Sequence, residues 1–410
     1  MSQVPVDPPT SPSGTYVQER TAEVTGGRSQ VVEYWAFIPN ALPPRQTWSV
    51  QIIHLLNDAM FALGQLGGLS HTRPGAPLPH GHLVRPLMFR EATLSSRIEG
   101  TRASLGDALA YRPGEQLALG LESGAPTDDV RSVVNYLAAL EYGLAYVAER
   151  PITLALVRDL QSMVVDETRS AGLGQGTFRV TQNFVGFAGE SIRDAIYIPP
   201  PALAVQGLIQ DLIDYLRDDD SDSPMLARIA FAHYHFEAIH PFLDGNGRVG
   251  RILMVLMLNA WGMLPQPLLN LSAWFERNRS QYYEALKRVT TDGAWEAWVA
   301  FFLEGVHHEA LAAVQRIGRI VEVQDHWRAR VEHLRTAGRL YQVIEYLMSN
   351  PITTVREVEA HLHVTYRTAS KLLETCQEVG IVRILNEEQY RKLYVAQELM
   401  DAIDLDTAIS

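Results

Sequence analysis

The stretch HPFLDGNGRVGR, residues 240–251, gathers an imidazole, a carboxylate, an asparagine, three glycines and two guanidinium groups. It leads into ILMVLMLNAW, which is apolar on nearly every face and therefore reads as a core helix. The N-terminus of a helix carries unpaired N–H groups and the positive end of its dipole, so it attracts anions. The glycines let the backbone approach a phosphate without interference from a Cβ. Arg248 and Arg251 lie three apart, on one face of the first turn, and can both reach one polyphosphate. Asp244 would be misplaced beside phosphates unless it holds a cation, and a lone carboxylate near phosphate oxygens suits a largely hydrated Mg²⁺. An unperturbed histidine has a pKa of about 6.5, so an imidazole at position 240 suits the task of taking a proton from an attacking hydroxyl. These residue types point to attack by a hydroxyl on a bound phosphoanhydride.

Residues 240–251 resemble the motif HPFx[D/E]GNGRxxR of the Fic family and match it at every position. That resemblance implies a helical protein that binds ATP with Mg²⁺ and transfers AMP to a hydroxyl side chain of a target protein, releasing pyrophosphate. It implies His240 as general base and Asp244 as the Mg²⁺ ligand. Asn246, with the backbone of Gly245 and Gly247, would form the anion hole for the α-phosphate. Arg248 would take the β-phosphate side and Arg251 the γ-phosphate, with Val249 and Gly250 completing the nucleotide-binding run. The Doc-like toxins, which resemble Fic but phosphorylate their targets, carry Lys where this chain has Gly247. Glycine there favours nucleotidyl transfer.

Three further stretches resemble parts of the same family. SSRIEG, residues 95–100, fits the inhibitory helix pattern [S/T]xxxE[G/N] with Ser95, Glu99 and Gly100. Its place upstream implies a brake in the same chain: Glu99 paired with Arg251 would withhold that cation from the γ-phosphate. A charge-assisted pair of this kind is worth roughly 1.5–3 kcal/mol, enough for an order of magnitude in activity. GTFRVTQNFVGF and YIPPP, between residues 176 and 201, resemble the family's flap, a hairpin that aligns a target by strand addition, with Val185, Gly186, Phe187 and Ala188 as its contacting part. FAHYHFEAI resembles the approach helix; His233 reads as packing and His235 as a nucleotide contact. SQYYE, residues 280–284, resembles a segment completing the nucleotide pocket, with Tyr282 against adenine or ribose.

Elements must position these residues. The fold expected is mainly α: a Fic-type helical core with a β-hairpin flap, followed by a C-terminal winged helix-turn-helix. Residues 1–30, rich in Pro, Ser, Thr and Gly, read as a mobile tail, and 31–44 as an extended strap. Residues 31–110 read as an N-terminal helical region containing the inhibitory helix, and 111–310 as the Fic core with a hairpin over 174–201. Residues 299–337 read as one long helix whose 311–337 part connects to the last unit. In that unit, 338–410, three helices precede a hairpin, and Thr354 and Glu357 form a capping box.

Bulk properties narrow the classes. The 410 residues suffice for two or three domains, and 35 basic against 47 acidic residues give a net charge of −12. That charge disfavours nonspecific binding to nucleic acid or anionic membrane. One cysteine, Cys376, excludes an internal disulfide and a thiolate-built zinc site, in keeping with a cytoplasmic setting. The first residues do not resemble a signal peptide, and no run of about twenty apolar residues marks a membrane span. From Arg339 onward seven basic residues stand against eleven acidic ones, a net of −4, so the winged unit reads more readily as a protein-docking or homodimer module than as a DNA reader. The partners expected are therefore a target protein hydroxyl, the chain itself included, and no membrane. Two rival readings share the same residues: a DNA-binding transcriptional regulator whose Fic core senses nucleotide, and removal of AMP at the same site.

Overall fold

The computed structural model describes residues 8–25, 28–44, 47–69, 80–112, 127–166, 174–186, 191–218, 222–385 and 392–404. Helices dominate. In chain order the elements are β1 (Gly14–Thr25), β2 (Arg28–Pro39), α1 (Val50–Leu69), α2 (His80–Ile98), α3 (Leu105–Ala110), α4 (Thr127–Val147), α5 (Leu154–Val165), α6 (Ala202–Arg217), α7 (Met225–Ile239) and α8 (Asn246–Ala260). They continue with α9 (Leu271–Arg277), α10 (Arg279–Asp292), α11 (Trp295–Val331), α12 (Ala337–Ser349), β3 (Ile352–Thr353), α13 (Val355–Leu362), α14 (Tyr366–Glu378), β4 (Arg383–Ile384), β5 (Tyr394–Val395) and α15 (Gln397–Ile403).

The chain forms two compact units, each assembled from separate segments. The first holds residues 1–60, 138–262 and 277–307. Its centre is α7, buried along almost its whole length, with α6 and α8 packed against it. Trp298 is fully buried and donates its indole N–H to the Ala230 carbonyl at 2.8 Å. The one polar atom of the ring is thereby satisfied inside the core. α5 begins at Thr153, whose hydroxyl accepts the Leu156 N–H at 3.1 Å, the usual way a threonine caps a helix.

The expected mobile tail over 1–30 is corrected here: Gly14–Thr25 is a strand. It pairs antiparallel with β2 from Gly14↔Pro39 to Thr25↔Arg28. Along β1, Val17, Glu19, Thr21 and Glu23 are half-buried while Gln18, Arg20 and Ala22 are exposed. This is a period of two carried by polar residues, which hydrophobic patterning does not register. Along β2, Val32, Tyr34 and Ala36 face a small core completed by Ile192, with Val17, Phe184 and Ile198 at its edge.

The second unit holds residues 61–137, 263–276 and 308–410. α2 packs against α12, and α13 against α14. Thr354 and Glu357 form the capping box reciprocally, as the sequence spacing implies. Glu357 also takes Arg112, whose Nη2 lies 3.1 Å from its Oε2. Three short strands run in the order β3–β5–β4, all antiparallel, with Ile352↔Val395 and Arg383↔Val395 in register. The long helix expected over 299–337 is α11, which starts earlier, at Trp295, and ends at Val331; the Leu334 N–H then closes a turn onto the Val331 carbonyl.

Candidate active site

α7 ends at the 240–251 stretch. His240 is its C-cap, with φ 48° and ψ 60°. Histidine adopts this left-handed conformation more readily than bulkier residues do. Its N–H donates to the Phe236 carbonyl at 3.0 Å, closing the helix. Five residues later Gly245 takes φ 83° and serves as N-cap of α8. A Cβ on Gly245 would lie 3.2 Å from Val165 Cγ1, at the end of α5. Both dihedral and space therefore require glycine there. The first intrahelical bond of α8 runs from the Val249 N–H to the Gly245 carbonyl at 3.0 Å. That leaves the N–H groups of the first turn for capping or an anion.

Side chains, not sheet, hold the loop in place. Asn246 spans it: Oδ1 accepts the Phe242 N–H at 2.9 Å and Nδ2 donates to the Phe242 carbonyl at 2.9 Å. Asn183 Nδ2 donates to that same carbonyl at 2.9 Å, and Phe242 itself is fully buried. Gln161 on α5 donates Nε2 to the Asp244 carbonyl at 3.1 Å and accepts the Gly176 N–H at 2.7 Å. Arg179, 3% exposed, donates Nε to the His240 carbonyl at 2.9 Å, and its guanidinium also reaches the carbonyls of Pro200, Thr181 and Ile239. Its own N–H donates to the Pro241 carbonyl at 2.9 Å. Burial lowers Arg179 to about 10, still charged at neutral pH.

The charged groups follow the loop. Asp244 is partly exposed; its Oδ1 accepts the Gly245 N–H at 2.6 Å and its Oδ2 lies 3.4 Å from Arg248 Nη2, one helical turn on. Arg248 also donates Nη1 to the Val164 carbonyl at 3.3 Å. Arg251, on the next turn of the same helix, is buried. Among the described residues, Asp244 belongs to no group of three or more metal-ligating side chains. A divalent ion at Asp244 would therefore draw its other ligands from water and phosphate oxygens, which suits Mg²⁺.

Residues 151–258 match the Fic/DOC family model. Residues 53–145 match the model of the Fic/DOC family N-terminal region. A probable protein adenylyltransferase from Aquifex aeolicus is 42% identical over 93 residues, 23% of this chain and 26% of that protein. Protein adenylyltransferase Fic from Drosophila grimshawi is 29% identical over 183 residues, 44% of this chain and 34% of that protein. Each match thus spans well under half of the curated relative. In fold, the chain is similar to the crystal structure of a Fic family protein from Desulfovibrio desulfuricans G20, with a TM-score of 0.54 at 20% identity over 87% of this chain and 98% of that one.

The segment that matches the Fic/DOC model contains His240, Asp244, Gly245, Asn246, Gly247 and Arg248, with Arg251 one turn further along α8. Other residues expected at the nucleotide are placed in the core. Val249 is fully buried. Gly250 lies against α7, where a Cβ would come 2.6 Å from Glu237 Oε1 and 3.2 Å from Phe236 Cδ1; it is a packing glycine. Tyr282 is 1% exposed and its hydroxyl is 2.8 Å from His233 Nε2. His235 is buried on α7, and burial alone lowers it to about 4. Both fall inside because α7 is buried around its circumference and α10 closes over one side of it.

Among the described residues, the hairpin expected over 174–201 appears as one antiparallel bridge, Val185↔Tyr197, with a 3₁₀ turn at Ile192–Asp194. Arg179 and Gln182 satisfy the Pro200 and Pro199 carbonyls, which a ladder would otherwise occupy, and the prolines at 199–201 have no N–H to give. Val185 forms the bridge and Gly186 follows it; Phe187 and Ala188 lie outside the described residues. Within the N-terminal match, Ser95 is buried in α2, Glu99 is exposed just beyond it, and Gly100 has φ 93°. Sequence reasoning missed Arg179 and Gln161. The only signal was a lone arginine in FRV and a lone glutamine on an apolar helix.

Proposed function

We propose that this chain is a protein adenylyltransferase: it transfers AMP from ATP to a Ser, Thr or Tyr hydroxyl of a protein, itself included. The observation that carries this reading is the fixed turn between α7 and α8, which sets the His240 imidazole at one end and the N-terminus of a buried helix at the other. The names of the relatives, protein adenylyltransferases, support it. The acceptor oxygen forms a bond to the α-phosphorus, and the bond from that phosphorus to the oxygen bridging the β-phosphate breaks. The hydroxyl proton passes to His240, and pyrophosphate leaves with the electron pair.

The first-turn N–H groups of α8, with Asn246 and Gly247, hold the α-phosphate, and Arg248 and Arg251 hold the outer phosphates. Asp244 would hold Mg²⁺, which neutralises phosphate charge when bound. Glu99 acts as a brake on transfer, as the SSRIEG resemblance implies. The region from 338 is a winged helix-turn-helix, and the setting is the cytoplasm. Incubation with ATP labelled at the α- or the γ-phosphorus tests the reaction. Label should enter protein only from the α-position and vanish in His240→Ala. Label arriving from the γ-position would show phosphoryl transfer instead, and transfer that survives the substitution removes His240 from the chemistry.

A further inference from the structure

The region from residue 339 carries a net charge of −4, which argues against nucleic acid. The second unit changes that balance. Glu345 is paired by Arg328 at 3.3 Å, Glu398 by Arg330 at 2.8 Å, and Glu357 by Arg112. All three arginines come from outside the region, so its charge of −4 with these three partners included falls to −1. Glu357 and Glu398 are held below the usual carboxylate range by these contacts, in spite of partial burial. The acidic excess is largely spent on internal pairing.

What remains exposed is cationic on one face. α13 and α14 are joined by three residues, with His363 at φ 52° and the Val364 N–H closing onto the Glu359 carbonyl at 3.2 Å. Ala369, Leu372, Leu373 and Cys376 bury one side of α14. The opposite side presents Tyr366, Arg367, Ser370 and Lys371 in its first two turns, with Tyr366 48% exposed. Arg356 on α13 lies 4.9 Å from the Tyr366 ring centre and pairs with Glu359. Arg367 and Lys371 stand four apart, a like-charge spacing that costs an isolated helix stability. Such a cost is tolerated where an anion is to be met. Further along the helix Glu374 accepts the Ser370 hydroxyl at 2.9 Å, and Glu378 follows, so the cationic face is confined to the N-terminal half.

We propose that this face of α14 docks on duplex DNA, with its N-terminal turns in the major groove and Arg356, Arg367 and Lys371 against phosphates or base edges. A helix with a protruding polar and cationic face fits the major groove, and the second helix of a helix-turn-helix pair reads it with its first turns. A protein partner fits less well. Among the described residues from 338 onward, Tyr366 is the single large exposed hydrophobic, and lysine is depleted at protein interface cores. The proposal stands apart from the reaction at His240.

Fluorescence anisotropy of the full chain titrated into a labelled mixed-sequence duplex of about two helical turns tests it. Binding should appear at about 50 mM salt and weaken steeply by about 200 mM. Arg367→Ala/Lys371→Ala should lower the low-salt affinity at least about tenfold and reduce the slope of log K on log salt by about two. AMP transfer and the unfolding midpoint of that variant should stay at the wild-type values, since both side chains lie on the exposed face. His240→Ala should bind the duplex as the wild type does. No anisotropy change at low salt overturns the proposal and leaves the face to a protein partner. Equal binding by wild type and double variant overturns it as well.

Discussion

His233, His235 and His240 share a short segment but not an environment. Burial, reinforced by the Arg251 charge, lowers His233 to about 3, and burial lowers His235 to about 4. Both stay neutral in the folded state at working pH. His233 spends its Nε2 on the Tyr282 hydroxyl, whereas His240 caps α7 at partial exposure, where a proton can be taken and passed on. The depressed pair has a consequence for stability. Unfolded, each histidine titrates near about 6.5, so the unfolded chain binds protons that the folded chain refuses. Their contribution is therefore complete above about pH 6.5 and drains away as pH falls toward about 4 and then about 3. Each accounts for at most about 1.4 kcal/mol per pH unit. Urea unfolding at about pH 7.5 and about pH 5, on either side of the unfolded value, should show the loss, and His235→Asn should reduce the slope by about one proton. An unaltered slope in that variant would remove His235 as a source. The sequence shows three imidazoles; burial separates two packed ones, His233 and His235, from a partly exposed one, His240.

At the scale of elements, the site depends on how closely α8 crosses α7. Gly250 is the point of close approach, where an added methyl would meet Glu237 Oε1 at 2.6 Å and Phe236 Cδ1 at 3.2 Å. One of these contacts is a core ring that cannot swing away, so the helices must separate. Gly250→Ala should cost about 1–3 kcal/mol, typical of overpacking, and lower AMP transfer if, as proposed, the first turn of α8 holds the phosphates. Chemical denaturation with a parallel transfer assay checks this; a variant as stable and active as the parent would mean the crossing can relax. The two helices were legible from their continuous apolar runs, and the loop between them from its residue types. The clamp around the loop was not, because Arg179 acts through backbone carbonyls and its partners are distant in sequence. The same cause hid the 174–201 segment: side chains took over hydrogen bonds that strand patterning assigns to a ladder. The β1–β2 ribbon was hidden differently, since Glu19, Thr21 and Glu23 turn a polar edge inward. Glu23 meets the Ser191 hydroxyl at 2.7 Å and the Ile192 N–H at 2.8 Å.

Across the whole molecule, sequence order and compactness diverge. Each compact unit draws on three stretches of chain, a feature no local pattern announces, because it arises from contacts between residues far apart. The two family matches divide in the same spirit: the Fic model covers the loop at 240–251, while the N-terminal model covers the turn that carries Glu99. The proposed brake joins residues from both stretches, so its test uses the full chain. Glu99 is exposed, one residue past the end of α2. Glu99→Gly should therefore shift unfolding by no more than about 0.5 kcal/mol, as surface substitutions do. If the carboxylate restrains transfer with the strength of a charge-assisted pair, α-phosphate labelling should rise about tenfold or more. The double variant Glu99→Gly/His240→Ala should incorporate nothing, which ties the gain to the same imidazole. Equal labelling by the parent and Glu99→Gly, with the double variant silent, would leave the transferase intact and remove Glu99 from its control.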